Sequence, residues 1–177
     1  MGVAGCGKSV VGRQLALALC LPLVEGDDYH CPANVSKMQQ GRALTDADRA
    51  DWLQTLGRAL AERPQGAVLT CSALKLAYRN ILRSAADPLY FVHLAITQAQ
   101  SLRRVGERAA HFYPASLVAS QFDALQDPSA EPGVLTLDGN ALPEQLAATA
   151  AAWLRHQQAA DTRPLCWPAL IAGQSAL

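Results

Sequence analysis

The sequence has no run of apolar residues long enough to span a bilayer, so nothing in it indicates a membrane-spanning protein. It also has no run of Lys or Arg, and its 15 basic and 15 acidic residues give a formal net charge of zero. Nucleic acid and an anionic membrane surface are therefore poor candidates for its partner. The five cysteines are an odd number without C-x-x-C spacing, which argues against a zinc site or a disulfide framework and favours a reducing cytoplasm.

What the sequence does contain is an alternation of strand-like and helical segments within 177 residues, half of them hydrophobic. Strands are predicted at 21–28, 67–72, 89–96 and 133–139, and helices at 8–20, 34–41, 46–62, 73–85, 97–110, 114–125 and 142–158. This order predicts an α/β fold in which helices cover both faces of a parallel sheet. Residues 1–156 are predicted to form one domain, and residues 157–177 a tail of unknown role.

The first ten residues contain the pattern G-x-x-x-x-G-K-[ST] between Gly2 and Ser9, followed at once by a helical pattern. Main-chain amides of such a loop curl around phosphate oxygens, Lys8 reaches the β- and γ-phosphates, and Ser9 binds Mg²⁺. A chance match is the alternative, and the helix that follows makes it the weaker one. The predicted nucleotide-binding residues are Gly2, Gly5, Cys6, Gly7, Lys8, Ser9 and Val10.

Acidic residues end the strand predicted at 21–28, in the stretch VEGDDYHCP. A kinase that acts on a hydroxyl needs a carboxylate near the acceptor, and strand ends present such groups in open α/β sheets. We assign this role to Asp27. Glu25 projects on the same side if the strand persists, whereas Asp28 faces away. A solvated acidic turn is the alternative for these carboxylates, and His30 could equally be a surface histidine or a ligand.

Two pairs of cations recur at helical i, i+4 spacing. Lys75 and Arg79 follow Ser72, which lies at a predicted strand end, and would suit a bound anion; a solvated basic face explains them equally well. Arg104 and Arg108 precede an irregular stretch, and we predict a lid around residues 104–114 that carries them over the transferring phosphate. Exposed helix arginines are common, so this second pair is a weak signal.

Four blocks, in order along the chain, together resemble the gluconokinase family of small P-loop sugar-acid kinases. They are MGVAGCGKS, EGDDYHCPANVSKMQQGRALTDADRADWL, CSALKLAYRNILR and RRVGERAAHFYPASLVASQFDALQDP. The resemblance implies a P-loop kinase-like fold, related to shikimate kinase and adenylate kinase, that uses ATP and Mg²⁺ to convert D-gluconate into 6-phospho-D-gluconate. It places Arg104 and Arg108 on the lid, Asp27 near the acceptor, and around gluconate the residues His30, Arg49, Lys75, Arg79, His111 and Gln121.

Some features depart from the family pattern or leave alternatives open. Glu25 stands where an Asp is expected, which leaves the Mg²⁺ ligands undecided. Family members carry an apolar strand before G-V-x-G, so we expect this chain to lack its first central strand and to form four strands with a gap or a rearranged sheet. The alternatives are a nucleotide-binding module without catalysis and a kinase for another small hydroxy acid such as shikimate. A homodimer is a further expectation from the resemblance.

Overall fold

The computed structural model describes residues 1–107 and 114–160, in which four short strands alternate with seven α-helices. The strands are β1 (Leu23–Glu25), β2 (Val68–Thr70), β3 (Phe91–Ala95) and β4 (Val134–Asp138). The helices are α1 (Lys8–Leu19), α2 (Pro32–Gln39), α3 (Asp46–Ala61), α4 (Leu76–Ala85), α5 (Gln98–Gly106), α6 (Val118–Ala124) and α7 (Pro143–Ala160). Short 3₁₀ turns cover Gly26–Tyr29 and Ala115–Leu117.

Side-chain caps explain where two of the helices begin. At α3, Thr45 Oγ1 accepts from the Asp48 amide, and the Asp48 carboxylate accepts from the Thr45 amide. Thr97 and Gln100 make the same reciprocal pair at the start of α5. Such capping boxes satisfy amides that have no partner inside the helix. They therefore fix the first residue of each helix, and at α3 this sets where Arg49 and Trp52 are presented.

The four strands form two parallel pairs, β1 with β2 and β3 with β4. Each predicted strand is present, and the predicted α/β arrangement is confirmed, but the first two strands are shorter than expected. The main chain leaves the ladder after Glu25, where a 3₁₀ turn begins at Gly26, and after Thr70, three residues before Ala73, whose φ is +45°. Both departures occur at the carboxyl end of a strand, so they turn the following side chains towards a common edge.

Met1 and Gly2 lie between the two pairs and touch both. The Met1 ammonium donates to Val92 C=O at 2.5 Å, and Leu94 N–H donates to Met1 C=O at 3.1 Å. On the other side, Gly2 N–H donates to Ser72 C=O at 3.2 Å. Beyond Met1, an apolar cleft of about 790 Å³ separates β2 from β3. The structure thus has four strands with a gap between β2 and β3, which is one of the two sheet arrangements expected from the sequence.

Helices cover both faces of the strands and bury two main apolar clusters. On one face, α1 and α7 pack together through residues such as Val11, Leu15 and Ala150. On the other, α3 and α4 bury Leu56 and Leu82. This confirms the predicted helix layers and leaves the carboxyl ends of the strands free to present functional groups.

Helix α7 passes the predicted domain end at residue 156 and continues to Ala160. The remainder of the predicted tail, residues 161–177, lies outside the described residues, so the domain boundary stays a prediction. In the described part of the chain, none of the helices combines the length and apolar character needed to cross a membrane.

Candidate nucleotide and substrate site

Residues 2–9 form a loop that turns sharply into α1. Gly5 and Gly7 have φ angles of +75° and +97°, a region in which a side chain would strain the main chain. Helix α1 begins at Lys8, directly after Gly7, and among the described residues no side chain caps its first turn. The amides of that turn, together with the positive end of the helix dipole, therefore remain available to an anion.

Buried side chains from neighbouring helices hold this loop through its main chain. Gln121 Oε1 accepts from the Ala4 amide at 2.6 Å, and Ser101 Oγ donates to Ala4 C=O at 2.7 Å. Both side chains are buried, so water does not compete for these bonds. Because the Ala4 residue is held through both its N–H and its C=O, the loop is shaped before a ligand arrives. Ser101 and this supporting role of Gln121 were not predicted, since they depend on contacts distant in sequence.

Lys8 and Arg104 also bind the main chain of the loop region. Lys8 Nζ donates to Val3 C=O at 2.9 Å, so the ammonium must exchange this neutral acceptor for phosphate oxygens when a nucleotide binds. Arg104 Nη1 donates to the carbonyls of Gly5 at 3.3 Å and Gly139 at 3.0 Å. Arg104 is not among the residues that line the cavity beside the loop. Its predicted contact with the transferring phosphate therefore stays a prediction.

Glu25 connects Ser9 to β2. Its Oε2 accepts from Ser9 Oγ at 3.1 Å and from Thr70 Oγ1. Its Oε1 is buried and has no hydrogen-bond partner among the described residues. A buried carboxylate oxygen without a donor is costly unless a cation or water completes it. The Ser9 hydroxyl and the Glu25 carboxylate thus form an oxygen-lined position beside the phosphate loop.

A cavity of about 70 Å³ lies between the phosphate loop and the segment that follows β1. It brings together most of the predicted side chains: Lys8, Ser9, Asp27, His30, Arg49, Ser72 and Gln121. The larger cleft between β2 and β3 contains only Lys8 of the predicted side chains. The smaller cavity is therefore the candidate active site, because the acids, bases and phosphate-binding groups meet there.

His30 stacks on Trp52, with ring centroids 4.3 Å apart and planes inclined by 12°. Trp52 is itself fixed by a 2.8 Å hydrogen bond from its Nε1 to Gly26 C=O. Burial lowers the pKa of His30, with Arg49 adding to the effect and Asp27 opposing it. His30 Nδ1 is buried without a hydrogen-bond partner among the described residues. The neutral ring can thus offer a donor or an acceptor to a hydroxyl at pH 7.

We expect a proton NMR titration to give His30 a pKa below the ordinary value of about 6.5, because burial beside Trp52 disfavours the imidazolium. The variant His30→Gln removes the corresponding resonance and so identifies it. A value at or above that of an exposed histidine would contradict the half-buried, stacked position of the ring.

A second polar group lies next to the cavity and is centred on Asp46. Its carboxylate accepts from Lys75 Nζ at 2.7 and 2.9 Å and from the Tyr78 hydroxyl. The hydrogen bonds from Lys75 and then Tyr78 hold the pKa of Asp46 below its ordinary value. Arg49 lies over the Tyr78 ring, with its guanidinium carbon 5.9 Å from the centroid. Lys75 is engaged in this group and does not line the cavity, so its contact with a substrate stays a prediction.

Arg79 contradicts the predicted substrate contact. Its side chain is fully buried, and its Nε and Nη2 donate to the Glu131 carboxylate. Nη1 donates to the carbonyls of Ala73 and Leu74, and Nη2 also donates to Gln126 C=O. No N–H group of the guanidinium is left for a ligand. Arg79 is therefore a structural residue that ties α4 to the loop before β4.

Glu131 is the partner that completes this buried network. Burial raises the pKa of Glu131, but the hydrogen bonds from Arg79 and Arg83 outweigh it, so the pKa lies below the ordinary value. Arg83 Nη2 donates to Glu131 at 2.8 Å. The i, i+4 spacing of Lys75 and Arg79 could not reveal this carboxylate, which lies 52 residues further along the chain.

Four predicted site residues remain: Arg108, His111, Cys6 and Val10. Arg108 and His111 lie outside the described residues, as does most of the predicted lid. Cys6 is buried in the apolar cluster under the loop, and Val10 is partly exposed on α1. Their predicted contact with the nucleotide would therefore use the main-chain amides rather than the side chains, and it stays a prediction.

Comparison with known proteins identifies the family. No protein-family model matches the chain. It is 43% identical over 164 residues to a gluconokinase from Gluconobacter oxydans, covering 91% of this chain and 90% of that protein. It is 39% identical over 144 residues to the thermosensitive gluconokinase of Escherichia coli, covering 79% and 77% of the two chains.

Solved structures agree with this comparison. A gluconokinase from Sinorhizobium meliloti superimposes with a TM-score of 0.82 at 38% identity, over 92% of this chain and 94% of that one. A deoxyadenosine kinase from M. mycoides, 8% identical with a TM-score of 0.58 over 89% and 97% of the chains, shares the fold alone. Sequence and structure comparisons thus give the same answer as the loop, the strand-end acids and the α/β layers: the chain belongs to the gluconokinase family.

Proposed function

We propose that the chain transfers the γ-phosphoryl group of ATP to the terminal hydroxyl of D-gluconate, giving ADP and 6-phospho-D-gluconate. The observation that carries the proposal is that a phosphate-binding loop and the Asp27 carboxylate line one cavity. Relatives that bear the name gluconokinase cover most of the chain, which supports gluconate as the acceptor. Cytoplasmic location and a homodimer remain expectations from the sequence.

The nucleotide side of the reaction rests on the loop and the start of α1. The amides of Gly7 and of the first helical turn would bind the β- and γ-phosphates, because these donors are pre-oriented and carry partial positive charge. Lys8 would leave Val3 C=O and pair with the phosphates. Electrostatic stabilisation by fixed donors is the main contribution a protein makes to phosphoryl transfer.

The residues beside the loop fit a magnesium ion. Mg²⁺ prefers hard oxygen ligands, and the Ser9 hydroxyl and Glu25 carboxylate supply them next to the phosphate position. The observation that favours a cation there is that Glu25 Oε1 is buried and has no hydrogen-bond partner within the part of the chain that the structure describes. When bound, Mg²⁺ would neutralise charge on the phosphate oxygens. The longer Glu in place of an Asp still reaches Ser9.

Glu25→Gln is expected to raise the Mg²⁺ concentration for half-maximal activity by about 10–100-fold, since a neutral amide is a weaker partner for the ion or its water ligands. Activity measured against Mg²⁺ at fixed, saturating ATP reports this change. Asp28→Asn is the matched control, because Asp28 is exposed and does not line the cavity. Equal Mg²⁺ dependence in all three proteins would exclude Glu25 from the metal site.

The acceptor side rests on Asp27, His30 and Arg49. Asp27 would accept the proton of the terminal hydroxyl of gluconate. At the same time the oxygen of that hydroxyl would form a bond to the γ-phosphorus, and the bond between the γ-phosphorus and the β-phosphate oxygen would break, releasing ADP. Neutral His30 suits a hydroxyl, and Arg49 suits the carboxylate of the sugar acid. The cavity, of about 70 Å³, is smaller than the roughly 300–1,000 Å³ usual for ligand sites.

A coupled assay with a panel of acceptors tests the proposal. With ATP and Mg²⁺, gluconate should support ADP release far above the rate without acceptor, and shikimate should not. Turnover of shikimate instead of gluconate would reassign the substrate. Binding of ATP without turnover of any acid would favour a nucleotide-binding module without catalysis.

A further inference from the structure

Thr70 is the last residue of β2, and no role for it was predicted from the sequence. It is the register partner of Glu25 at the end of β1, so the two side chains project from the same side of the paired strands. We propose that Thr70 is a positioning residue for the Mg²⁺ that accompanies ATP, and that it acts through the Glu25 carboxylate. This inference rests on the magnesium position in the proposed function and adds a residue to it.

The hydroxyl proton of Thr70 is directed at Glu25. Thr70 Oγ1 accepts from the Gly26 amide at 3.4 Å and donates to Glu25 Oε2. A hydroxyl has one proton and two lone pairs, so acceptance from the amide favours the orientation in which the proton points at the carboxylate. Thr70 is buried, so water does not compete for this bond. The bond therefore restrains rotation of the Glu25 carboxylate.

The surrounding main chain encloses Thr70 closely. A Cβ on Gly26 would clash with Thr70 C=O, and a Cβ on Gly12 of α1 would clash with the Thr70 methyl group. Gly26 is held in turn by the 2.8 Å hydrogen bond that its C=O accepts from Trp52 Nε1. Because Thr70 packs against these segments, its hydroxyl has a fixed position from which to hold Glu25.

Thr70 and Ser9 both donate to the same oxygen of Glu25. Ser9 Oγ donates to Oε2 at 3.1 Å, while Oε1 is buried and accepts no hydrogen bond from residues 1–107 and 114–160. Because the Ser9 proton goes to Glu25, the lone pairs of Ser9 Oγ remain for a cation, and Oε1 remains for that cation or one of its water ligands. Without the Thr70 hydroxyl, the carboxylate could turn and lose this arrangement.

A purely structural role for Thr70 is the alternative. The hydroxyl would then serve only to satisfy the buried Gly26 amide, and the methyl group only to fill the space beside Gly12. Loss of the hydroxyl would in that case disturb nucleotide binding equally with and without a metal ion. The two roles therefore differ in whether the effect depends on the metal.

Binding of Mn²⁺ and ADP to the whole chain tests the inference without gluconate. Mn²⁺ replaces Mg²⁺ because it prefers similar oxygen ligands, and its free concentration is measured by electron paramagnetic resonance. Thr70→Val keeps the shape of the side chain but removes the hydroxyl, and it should raise the Kd of Mn²⁺ for the protein–ADP complex by about 10-fold. The Kd of ADP in EDTA, measured by calorimetry, should not change.

Thr70→Ser is the matched control, because it retains the hydroxyl, and it should keep most of the Mn²⁺ affinity. In a Glu25→Gln background, Thr70→Val should cause no further rise in the Kd of Mn²⁺, since Thr70 acts through that carboxylate. Should Thr70→Val fail to fold, Thr70→Cys replaces it. A thiol is a weak donor, so this variant should also raise the Kd of Mn²⁺.

An unchanged Kd of Mn²⁺ in the Val or Cys variant would overturn the inference. So would an equal rise in the Kd of ADP in EDTA, a Ser variant as weak as the Val variant, or additive effects of Thr70→Val and Glu25→Gln. The kinase assay has a separate outcome: a chain that gives the expected Mn²⁺ results but phosphorylates no acid would refute the proposed acceptor and support the role of Thr70.

Discussion

Replacing Asp27 with Asn should lower kcat for gluconate phosphorylation by about 10²–10⁴-fold, with little change in the affinity for ATP. The amide keeps the size of the side chain but accepts no proton and orients a hydroxyl less strongly. Asp27 lines the cavity across from Lys8 and Ser9, so the substitution acts on the acceptor rather than on the phosphate loop. Steady-state kinetics together with ATP binding by calorimetry separate the two effects.

Asp28→Asn serves as the control, because the neighbouring carboxylate is exposed and lies outside the cavity. It should keep kcat within about twofold of the parent chain, as surface substitutions usually do. If Asp27→Asn retained full turnover, the assignment of Asp27 as the proton acceptor would be wrong. If both substitutions lowered kcat equally, a general electrostatic effect of the acidic turn would replace it.

Replacing Arg79 with Ala should destabilise the fold by about 3–5 kcal/mol, because it leaves the Glu131 carboxylate and several buried carbonyls without their donors. Against a total stability of about 5–15 kcal/mol, that loss is large. For a chain of this length, Tm should fall by about 10 °C, measured by circular dichroism.

Lys75→Ala is the matched comparison, at the residue that directly precedes α4. Lys75 pairs with Asp46 at the surface, and exposed ion pairs contribute little to stability, so Tm should change by no more than about 2 °C. The double variant Arg79→Met/Glu131→Met should recover part of the Tm lost by Arg79→Ala, because it removes both charges. A raised KM for gluconate with an unchanged Tm in Arg79→Ala would instead restore the substrate contact that the sequence suggested.

The order of strands and helices could be read from the sequence because it depends on local periodicity. The phosphate loop was equally accessible, since the spacing between Gly2 and Ser9 is local and α1 follows at once. The position of Asp27 followed from the general rule that strand ends carry functional groups. These features do not require knowledge of how distant segments pack.

Features that depend on distant contacts were missed or misread. Arg79 was paired with Lys75 by helical spacing, but the spacing does not say which way that face of α4 turns. Arg79 is flanked on α4 by Tyr78 and Leu82, which are both buried. The apolar character of these two residues was the feature of the sequence that could have indicated that Arg79 is buried too. The supports of the loop by Ser101 and Gln121 come from residues about one hundred positions away, which no local pattern contains.

The role of Glu25 could be predicted only in part from the local sequence. Its placement beside the loop agrees with the expected strand-end position, yet the strand ends at Glu25 and a 3₁₀ turn follows. Simple alternation therefore does not relate Glu25 to Asp27. The contact with Ser9 Oγ, and the lack of a partner for Oε1 among residues 1–107 and 114–160, became visible only when β1 and α1 were brought together.

The most direct measurement is a reaction of the folded chain with MgATP and D-gluconate in which ADP and the phosphorylated acid are quantified together by ³¹P NMR and mass spectrometry. The account predicts equal amounts of ADP and an acid carrying one phosphate on its terminal oxygen. Release of ADP without a phosphorylated acid, or tight ATP binding with no transfer to gluconate, would contradict it.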